Sequence, residues 1–220
     1  MVRVRQSAGK KGSQILIQKL INENPELLRN QILEQLSKKE EICWLSPLKE
    51  DDYAEYSDKE SLDLIGINLE KRPLTSFWPV GGPHWDGLGR SNSGNLFLVE
   101  AKSHISELFS CTGANGKSLD LILRSLKEVK EYLCPNSPVD WSKGFYQYAN
   151  RLAHLYLLRT LNEKPAYLVF LYFLNDSEMK GPSSISEWKA AIELLHTFLG
   201  IRRHKLQRYV LDVFIDVFEI

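Results

Sequence analysis

The sequence lacks the features that mark secreted and membrane-spanning proteins. Its three cysteines, Cys43, Cys111 and Cys134, are far apart and form no C-x-x-C pair. This argues against a disulfide framework or a zinc site, and for a reducing compartment. No apolar run approaches the roughly 18 residues of a membrane span, and the basic opening segment has too short an apolar run for a signal peptide. We therefore expect a cytoplasmic protein that does not enter a membrane.

An excess of charge of either sign is also missing. Lys plus Arg and Asp plus Glu both total 28 in 220 residues, so the formal net charge is zero. This balance argues mildly against indiscriminate binding of nucleic acid, but it is compatible with a local basic groove. The length predicts one domain over residues 14–220, preceded by a flexible basic tail over residues 1–13.

The most informative part of the sequence is a predicted β-hairpin. Residues 96–102, Leu-Phe-Leu-Val-Glu-Ala-Lys, form an apolar run that ends in charge, which is typical of a strand leaving the core. Turn-forming residues 91–94 separate this strand from residues 85–90, so the two segments are expected to pair antiparallel. A turn that is symmetric about Ser93 would place Asp86 directly opposite Glu100.

Asp86, Glu100 and Lys102 form the candidate chemical centre. Two carboxylates roughly 5 Å apart repel each other unless a cation lies between them, and hard oxygen ligands suit Mg²⁺ or Mn²⁺. Lys102 follows on the same face of the strand, roughly 6.6 Å along. There it could hold a water or stabilise negative charge on a phosphate. In the alternative, Glu100 and Lys102 are the solvated end of a strand and Asp86 is a turn residue.

Asp86, the tripeptide Glu100-Ala101-Lys102 and the predicted hairpin resemble the PD-(D/E)XK nuclease superfamily. The resemblance covers roughly residues 45–174, with Trp85 where the motif has proline. It implies that Asp86 and Glu100 bind Mg²⁺ or Mn²⁺ with the Ala101 carbonyl as a third ligand. It also implies that Lys102 assists hydrolysis of a phosphodiester. The fold it implies is a restriction-endonuclease-like, three-layer α/β domain with a mixed central sheet flanked by helices.

The resemblance also suggests a third acid from a helix upstream of Asp86. Glu55 is the candidate, in the acidic segment 49–60. Asp58, Glu60 and Asp63 are competitors, and an acidic run of this kind is also typical of a solvated face.

A second informative stretch is the mostly apolar helix predicted over residues 143–161. One polar stripe runs along it, made of Gln147, Asn150, Arg151 and His154. Buried polar groups need partners, which a catalytic cleft would supply. The resemblance to PD-(D/E)XK nucleases, in several of which a glutamine or basic residue on the helix after the E-x-K strand lines the site, makes Gln147 a candidate for lining the cleft and Arg151 for contacting nucleic acid. Surface exposure or a structural hydrogen-bond network are the alternatives. Trp85 is a candidate for stacking on bases or, alternatively, for the core or a lid.

The remaining segments are assigned from local patterns. Residues 111–118 imitate a phosphate-binding loop, but Cys111 stands where that motif needs glycine, so an NTPase is not expected. Ser118 is predicted to cap a helix, and Ser184 with Glu187 to form a capping box. The other expected elements are helices over 25–37, 61–69 and 185–199 and strands over 42–45, 77–80, 167–174 and 209–220.

Together these features predict a divalent-metal-dependent nuclease that hydrolyses phosphodiester bonds in DNA or RNA. The alternative is a catalytically inactive nuclease-fold module that binds nucleic acid or a protein partner. The expected partner is a nucleic acid, with DNA favoured, and a homodimer is left open.

Overall fold

The computed structural model describes residues 3–4, 11–36, 39–201 and 203–220. Its main sheet has five strands in the order β2-β4-β5-β6-β7, and a separate pair joins β1 to β3. The strands are β1 (Arg3–Val4), β2 (Ile42–Ser46), β3 (Glu55–Tyr56), β4 (Gly87–Ser91), β5 (Leu96–Lys102), β6 (Ala166–Leu174) and β7 (Val210–Asp216). Strands β2, β4 and β5 pair antiparallel, whereas β6 lies parallel to both β5 and β7. The sheet is therefore mixed, as predicted.

Seven α-helices lie in the described part of the chain. They are α1 (Ser13–Glu23), α2 (Pro25–Leu36), α3 (Asp58–Leu64), α4 (Leu74–Phe77), α5 (Gly116–Leu133), α6 (Tyr146–Tyr156) and α7 (Ile185–Leu199). Short 3₁₀ turns and one π-helical turn complete them, at Lys49–Asp51, Ile105–Leu108, Leu157–Leu161, Gln207–Tyr209 and Val217–Glu219. No helix of the described ranges combines the length and the apolar character that a bilayer crossing requires.

Two apolar cores lie on the two faces of the sheet. Residues of α1 and α2 pack in one core with Phe97 and Val99 of β5. Residues of α5, α6 and α7 pack in the other core with Leu96 and Leu98. Successive residues of β5 therefore face opposite cores. Helices lie on both sides of the sheet, which confirms the predicted α/β architecture.

The central and edge strands follow their sequence patterns. All nine residues of β6 are buried. A strand that is covered on both faces has apolar side chains on both faces. In β7, Leu211, Val213 and Ile215 are buried and the residues between them are only partly so. Strand β7 lies at one end of the sheet.

The hairpin of β4 and β5 has the predicted register. Leu88 pairs with Leu98, and Gly87 pairs with Val99. The turn closes with the Gly94 N–H donating to the Ser91 carbonyl at 2.9 Å. In both pairs the midpoint of the two residue numbers is 93, so the turn is centred on Ser93 as expected.

Glycine in β4 permits a close approach of its neighbour β2. A Cβ atom at Gly89 would lie 2.9 Å from the ring of Trp44, so a larger residue there would push the two strands apart.

Several predicted boundaries are wrong. Residues 77–80 form no strand, because Phe77 ends helix α4 and an irregular turn follows through Pro79. Helix α3 ends at Leu64 rather than at residue 69, and α5 starts at Gly116 with Asn115, not Ser118, at the N-cap.

Helix α1 was not predicted, and it begins inside the region assigned to the tail. Ser13 opens α1, and the backbone of β1 pairs with β3. The other residues of the predicted flexible tail lie outside the described ranges, apart from residues 11 and 12. Ser37, the predicted end of α2, also lies outside them.

Candidate active site

Strand register relates three acidic residues at the open end of the β4–β5 hairpin. Continuing the hairpin register by one residue places Asp86 opposite Glu100. On the other side, Tyr56 forms an antiparallel bridge with Trp85. The next step of that bridge places Glu55 opposite Asp86. Asp86 thus lies between two acids that are far apart in sequence.

The surroundings of Asp86 oppose negative charge on its carboxyl group. Its Oδ2 accepts a hydrogen bond of 2.7 Å from the backbone N–H of Ala101. Even so, burial raises the pKa of Asp86 well above its ordinary value. The charges of Glu100 and Glu55 raise the pKa further, while Lys102 lowers it. A cation at this point would relieve that repulsion.

Glu100 has the opposite electrostatic environment. It is 1% exposed, and burial alone would raise its pKa. However, Oε1 accepts a hydrogen bond of 2.5 Å from Lys102 Nζ, and Oε2 accepts one of 2.6 Å from Arg151 Nε. These two cations outweigh burial and hold the pKa of Glu100 below its ordinary value. Glu100 is therefore ionised and fully paired.

Arg151 links Glu100 to the segment that leads into Asp86. Its NH2 group donates to the His84 carbonyl at 2.9 Å, two residues before Asp86. Its guanidinium carbon lies 4.9 Å from the centroid of the Trp85 ring. Arg151 is 3% exposed, so it positions the two acid-bearing segments relative to each other.

This position of Arg151 corrects the prediction that it contacts nucleic acid. Its guanidinium is occupied by Glu100 and by the backbone, because α6 packs its polar stripe against the end of β5. Sequence periodicity placed the arginine on a buried face but could not identify its partner, which lies 51 residues away.

The prediction that Trp85 stacks on bases is also corrected. It is 2% exposed, with its ring under Arg151 and edge-on to His154 at a centroid distance of 6.1 Å. A ring buried in this way cannot stack on bases, so the core alternative holds. His154 is a neutral core histidine, since burial is the main cause that lowers its pKa to about 3.

Two other candidates lie near the predicted site. Glu55 belongs to the two-residue strand β3 and not to an upstream helix as predicted, yet its charge acts on Asp86. Gln147 is half-buried one helical turn before Arg151, and its backbone N–H donates to Ser110 Oγ at 2.8 Å. The charge of Glu55 therefore acts at the acids, whereas the contact of Gln147 is with Ser110.

Of the competing acids, Asp58 has a structural role. It accepts hydrogen bonds from the backbone N–H groups of Gly81 and Gly82 at 2.9 and 3.0 Å. Asp63 forms an exposed ion pair with Lys59. Neither observation assigns these acids to the site.

The donor set at the hairpin fits Mg²⁺ or Mn²⁺ chemically. Within the described ranges no three His, Cys, Asp or Glu side chains form a ready-made metal-binding group. Magnesium sites, however, commonly use one or two carboxylates and complete their shell with waters and phosphate oxygens. Asp86 and Glu100 supply two carboxylates. The N–H of Ala101 faces Asp86, and its carbonyl faces the same side, because both groups of a strand residue point in one lateral direction.

No family model, no curated protein and no solved structure matches this chain. The likeness to PD-(D/E)XK nucleases therefore remains a prediction that depends on Asp86, on Glu100-Ala101-Lys102 and on the hairpin register.

Proposed function

We propose that the chain is a divalent-metal-dependent nuclease of the PD-(D/E)XK type, with a restriction-endonuclease-like fold, that hydrolyses phosphodiester bonds in DNA or RNA. The observation that carries the proposal is the hairpin register that sets Asp86 opposite Glu100, with Lys102 bonded to Glu100. Burial is the main cause that raises the pKa of Asp86, and the charges of Glu100 and Glu55 raise it further; that repulsion between neighbouring acids supports the proposal, because a dication would relieve it.

The residues have distinct roles in this proposal. Asp86, Glu100 and the Ala101 carbonyl hold Mg²⁺ or Mn²⁺, and Glu55 is a further acid on the open side of Asp86. A bound divalent ion polarises the phosphate and lowers the pKa of a bound water. Arg151 is a positioning residue that keeps Glu100 in place.

Lys102 has an electrostatic role in this proposal. Its Nζ donates to Glu100 Oε1, and its positive charge would stabilise the negative charge that develops on the phosphate oxygens. Gln147, one turn before Arg151 on α6, is the further candidate residue.

The decisive variant is Asp86→Asn. The amide oxygen of asparagine can still accept the Ala101 N–H, so the hairpin keeps its geometry while one ligand charge is lost. We expect Mg²⁺- or Mn²⁺-dependent cleavage of labelled DNA and RNA to fall about 100-fold or more. Glu100→Gln and Lys102→Met should lose a comparable share of the cleavage activity. The melting temperature of each variant shows whether it still folds.

The matched control is Glu41→Gln. It removes a carboxylate that pairs with Arg29 at the surface, where such pairs contribute little, and it should cleave like the parent. Undiminished metal-dependent cleavage by Asp86→Asn, Glu100→Gln and Lys102→Met would refute the nuclease proposal.

A noncatalytic nucleic-acid-binding or protein-binding module is the second candidate function. The observation that favours it is the pairing of both Glu100 oxygens with cations, which compensates the charge of the buried acid without a metal. Calorimetric titration with Mn²⁺ separates the two functions. If the chain is a nuclease, Mn²⁺ should bind to the parent protein and not to Asp86→Asn. If the chain is a noncatalytic module, Mn²⁺ need not bind to either protein.

A further inference from the structure

The connection between α7 and β7 concentrates positive charge in a chain that has none overall. Residues 200–209 contain four arginine and lysine residues and no aspartate or glutamate, whereas the formal net charge of the whole sequence is zero. Arg203, Lys205 and Arg208 of this connection are exposed. Their charges therefore lie on the surface, where a partner can reach them.

Packing brings a further arginine to this connection. The ring of Tyr209, just before β7, lies beside the ring of Tyr167 in β6, with centroids 5.9 Å apart. Arg159, from the π-helical turn before β6, donates from Nη1 to the Ala166 carbonyl at 2.9 Å. Its guanidinium carbon lies 3.2 Å from the centroid of the Tyr209 ring, and that of Arg208 lies 4.7 Å from the same centroid. Two distant segments of the chain thus place two guanidinium groups on one tyrosine.

These side chains form a basic patch, made of Arg159, Arg203, Lys205 and Arg208. Within the described ranges, none of the four cations forms an ion pair with a carboxylate. Glu163, which is the acid nearest to Arg159 along the chain, pairs with Lys71 instead. The charges of Arg159 and Arg208 repel each other, and a bound anion would relieve that repulsion.

The hydroxyl group of Tyr209 shows the effect of this charge. Burial alone would raise its pKa, but the charges of Arg159 and Arg208 and their hydrogen bonds to the hydroxyl hold the pKa of Tyr209 below its ordinary value. The patch therefore favours the anionic form of an oxygen group next to it. A phosphate group, which is already anionic at neutral pH, would be favoured in the same way.

The basic patch and the acid cluster lie at different ends of the sheet. Strand β5 pairs Phe97 with Tyr167 and Lys102 with Tyr172. The stretch of β6 from Tyr167 to Tyr172 is roughly 17 Å long, so the patch lies about that far along the sheet from the level of Lys102. A nucleic-acid duplex covers this distance with about five base pairs.

We propose that the basic patch binds the phosphate backbone of a nucleic acid, at a surface separate from the acid cluster. The planar guanidinium groups of arginine match the geometry of phosphate oxygens. Cations that alternate with aromatic rings, as Arg159, Tyr209 and Arg208 do, are typical of surfaces that follow a nucleic-acid strand. Only the further role of the patch, as an anchor for a substrate cleaved at the acid cluster, rests on the proposed nuclease function.

The test is the double variant Lys205→Gln with Arg208→Gln. Both side chains are exposed, and glutamine keeps much of their length while it removes two positive charges. The matched control is Lys19→Gln with Lys39→Gln, which removes the same charge at exposed positions of α1 and of the segment before β2, the strand at the other edge of the sheet. Because both double variants have the same net charge, a difference between them belongs to the patch.

Binding is measured by fluorescence anisotropy with labelled single-stranded DNA, single-stranded RNA and duplex DNA of equal length, in EDTA so that no metal-dependent cleavage occurs. We expect the patch variant to bind about tenfold more weakly than the parent, and the slope of log K against log salt to fall by about 2. The control variant and Asp86→Asn should bind like the parent. Melting temperatures near that of the parent show that each variant folds.

Three results would overturn the nucleic-acid surface. The parent might bind none of the three probes, or the patch variant and its control might bind equally well. In the third, polyglutamate would displace the labelled strand from the parent as effectively as unlabelled nucleic acid of equal charge, which would indicate an acidic protein as the partner.

The outcome is separable from that of the nuclease proposal, because binding in EDTA does not depend on cleavage. Weaker binding by the patch variant, together with undiminished metal-dependent cleavage by Asp86→Asn, Glu100→Gln and Lys102→Met, would leave the basic patch standing and remove the nuclease proposal. Equal binding by the patch variant and its control, together with loss of cleavage in Asp86→Asn, would do the reverse.

Discussion

At the scale of single residues, Glu100 shows how a buried acid is kept ionised. Removing a carboxylate from water is costly, and only good geometry with two opposite charges offsets that cost. Lys102 and Arg151 each bond one oxygen of Glu100, and both are themselves buried. The three side chains therefore form one buried electrostatic unit, in which removal of Glu100 would leave two buried cations without their shared acceptor.

Asp212 is a half-buried acid without this compensation. It faces the α7 side of β7, and its Oδ1 has no hydrogen-bond partner. Burial raises its pKa from 3.8 to about 6, with only Lys189 opposing. Because the folded protein holds this proton more tightly than the unfolded chain, the stability that Asp212 contributes is present below about pH 4 and lost as the pH rises through about 6.

We therefore predict that Asp212→Asn stabilises the protein at neutral pH. The pKa difference corresponds to about 3 kcal/mol, and partial solvent access reduces the expected gain in unfolding free energy to about 2 kcal/mol at pH 7.5. At pH 4 the gain should vanish. Urea denaturation at the two pH values measures this, with the exposed Glu219→Gln as control. An equal effect of Asp212→Asn at both pH values would contradict the assignment.

At the scale of elements, α7 shows how far local sequence specifies a helix. Ser184 accepts from the Glu187 N–H, and the Glu187 carboxylate accepts from the Ser184 N–H at 3.0 Å. Gly200 ends the helix in a left-handed conformation with φ of 71°. Both ends were predicted, because capping needs only residues within one turn of the terminus.

We predict that Ser184→Ala lowers the free energy of unfolding by about 1 kcal/mol, since it leaves the Glu187 N–H without its acceptor. Ser186→Ala is the matched control: the same change two residues later, at an exposed helical position that makes no cap. In thermal or urea unfolding, Ser184→Ala should be less stable than the parent, and Ser186→Ala should be at least as stable as the parent. Equal stability of the two variants would show that the capping box contributes nothing.

At the scale of the whole molecule, the order of strands sets where the fold is most stable. Strand β6 is paired along both sides and buried on both faces. Strand β2 has only β4 as a neighbour in the sheet, and Cys43 within it is exposed. Local opening therefore exposes β2 at a lower cost than β6.

We predict that amide hydrogen exchange in β6 is at least about tenfold slower than in β2, a difference of about 1.4 kcal/mol in opening free energy. Hydrogen exchange followed by mass spectrometry on peptides from residues 166–174 and 42–46 measures the contrast. Equal protection of both strands would indicate that the molecule opens only globally.

Much of this architecture follows from the sequence because its causes are local. A turn centred on Ser93 fixes the pairing of Leu88 with Leu98, and the two-residue period of a strand then sets Asp86 opposite Glu100. The unbroken apolar run of β6 likewise requires cover on both faces. Each of these features depends on residues that are neighbours in the chain or lie across one short turn.

Only the tertiary structure decided the partners of those residues. Arg151 reaches Glu100 because α6 packs across the sheet, and the same packing buries Trp85. The irregular path of residues 77–80 depends on Asp58 holding Gly81 and Gly82 from another element. Contacts between distant segments are set by how whole elements pack, and local sequence patterns do not record that arrangement.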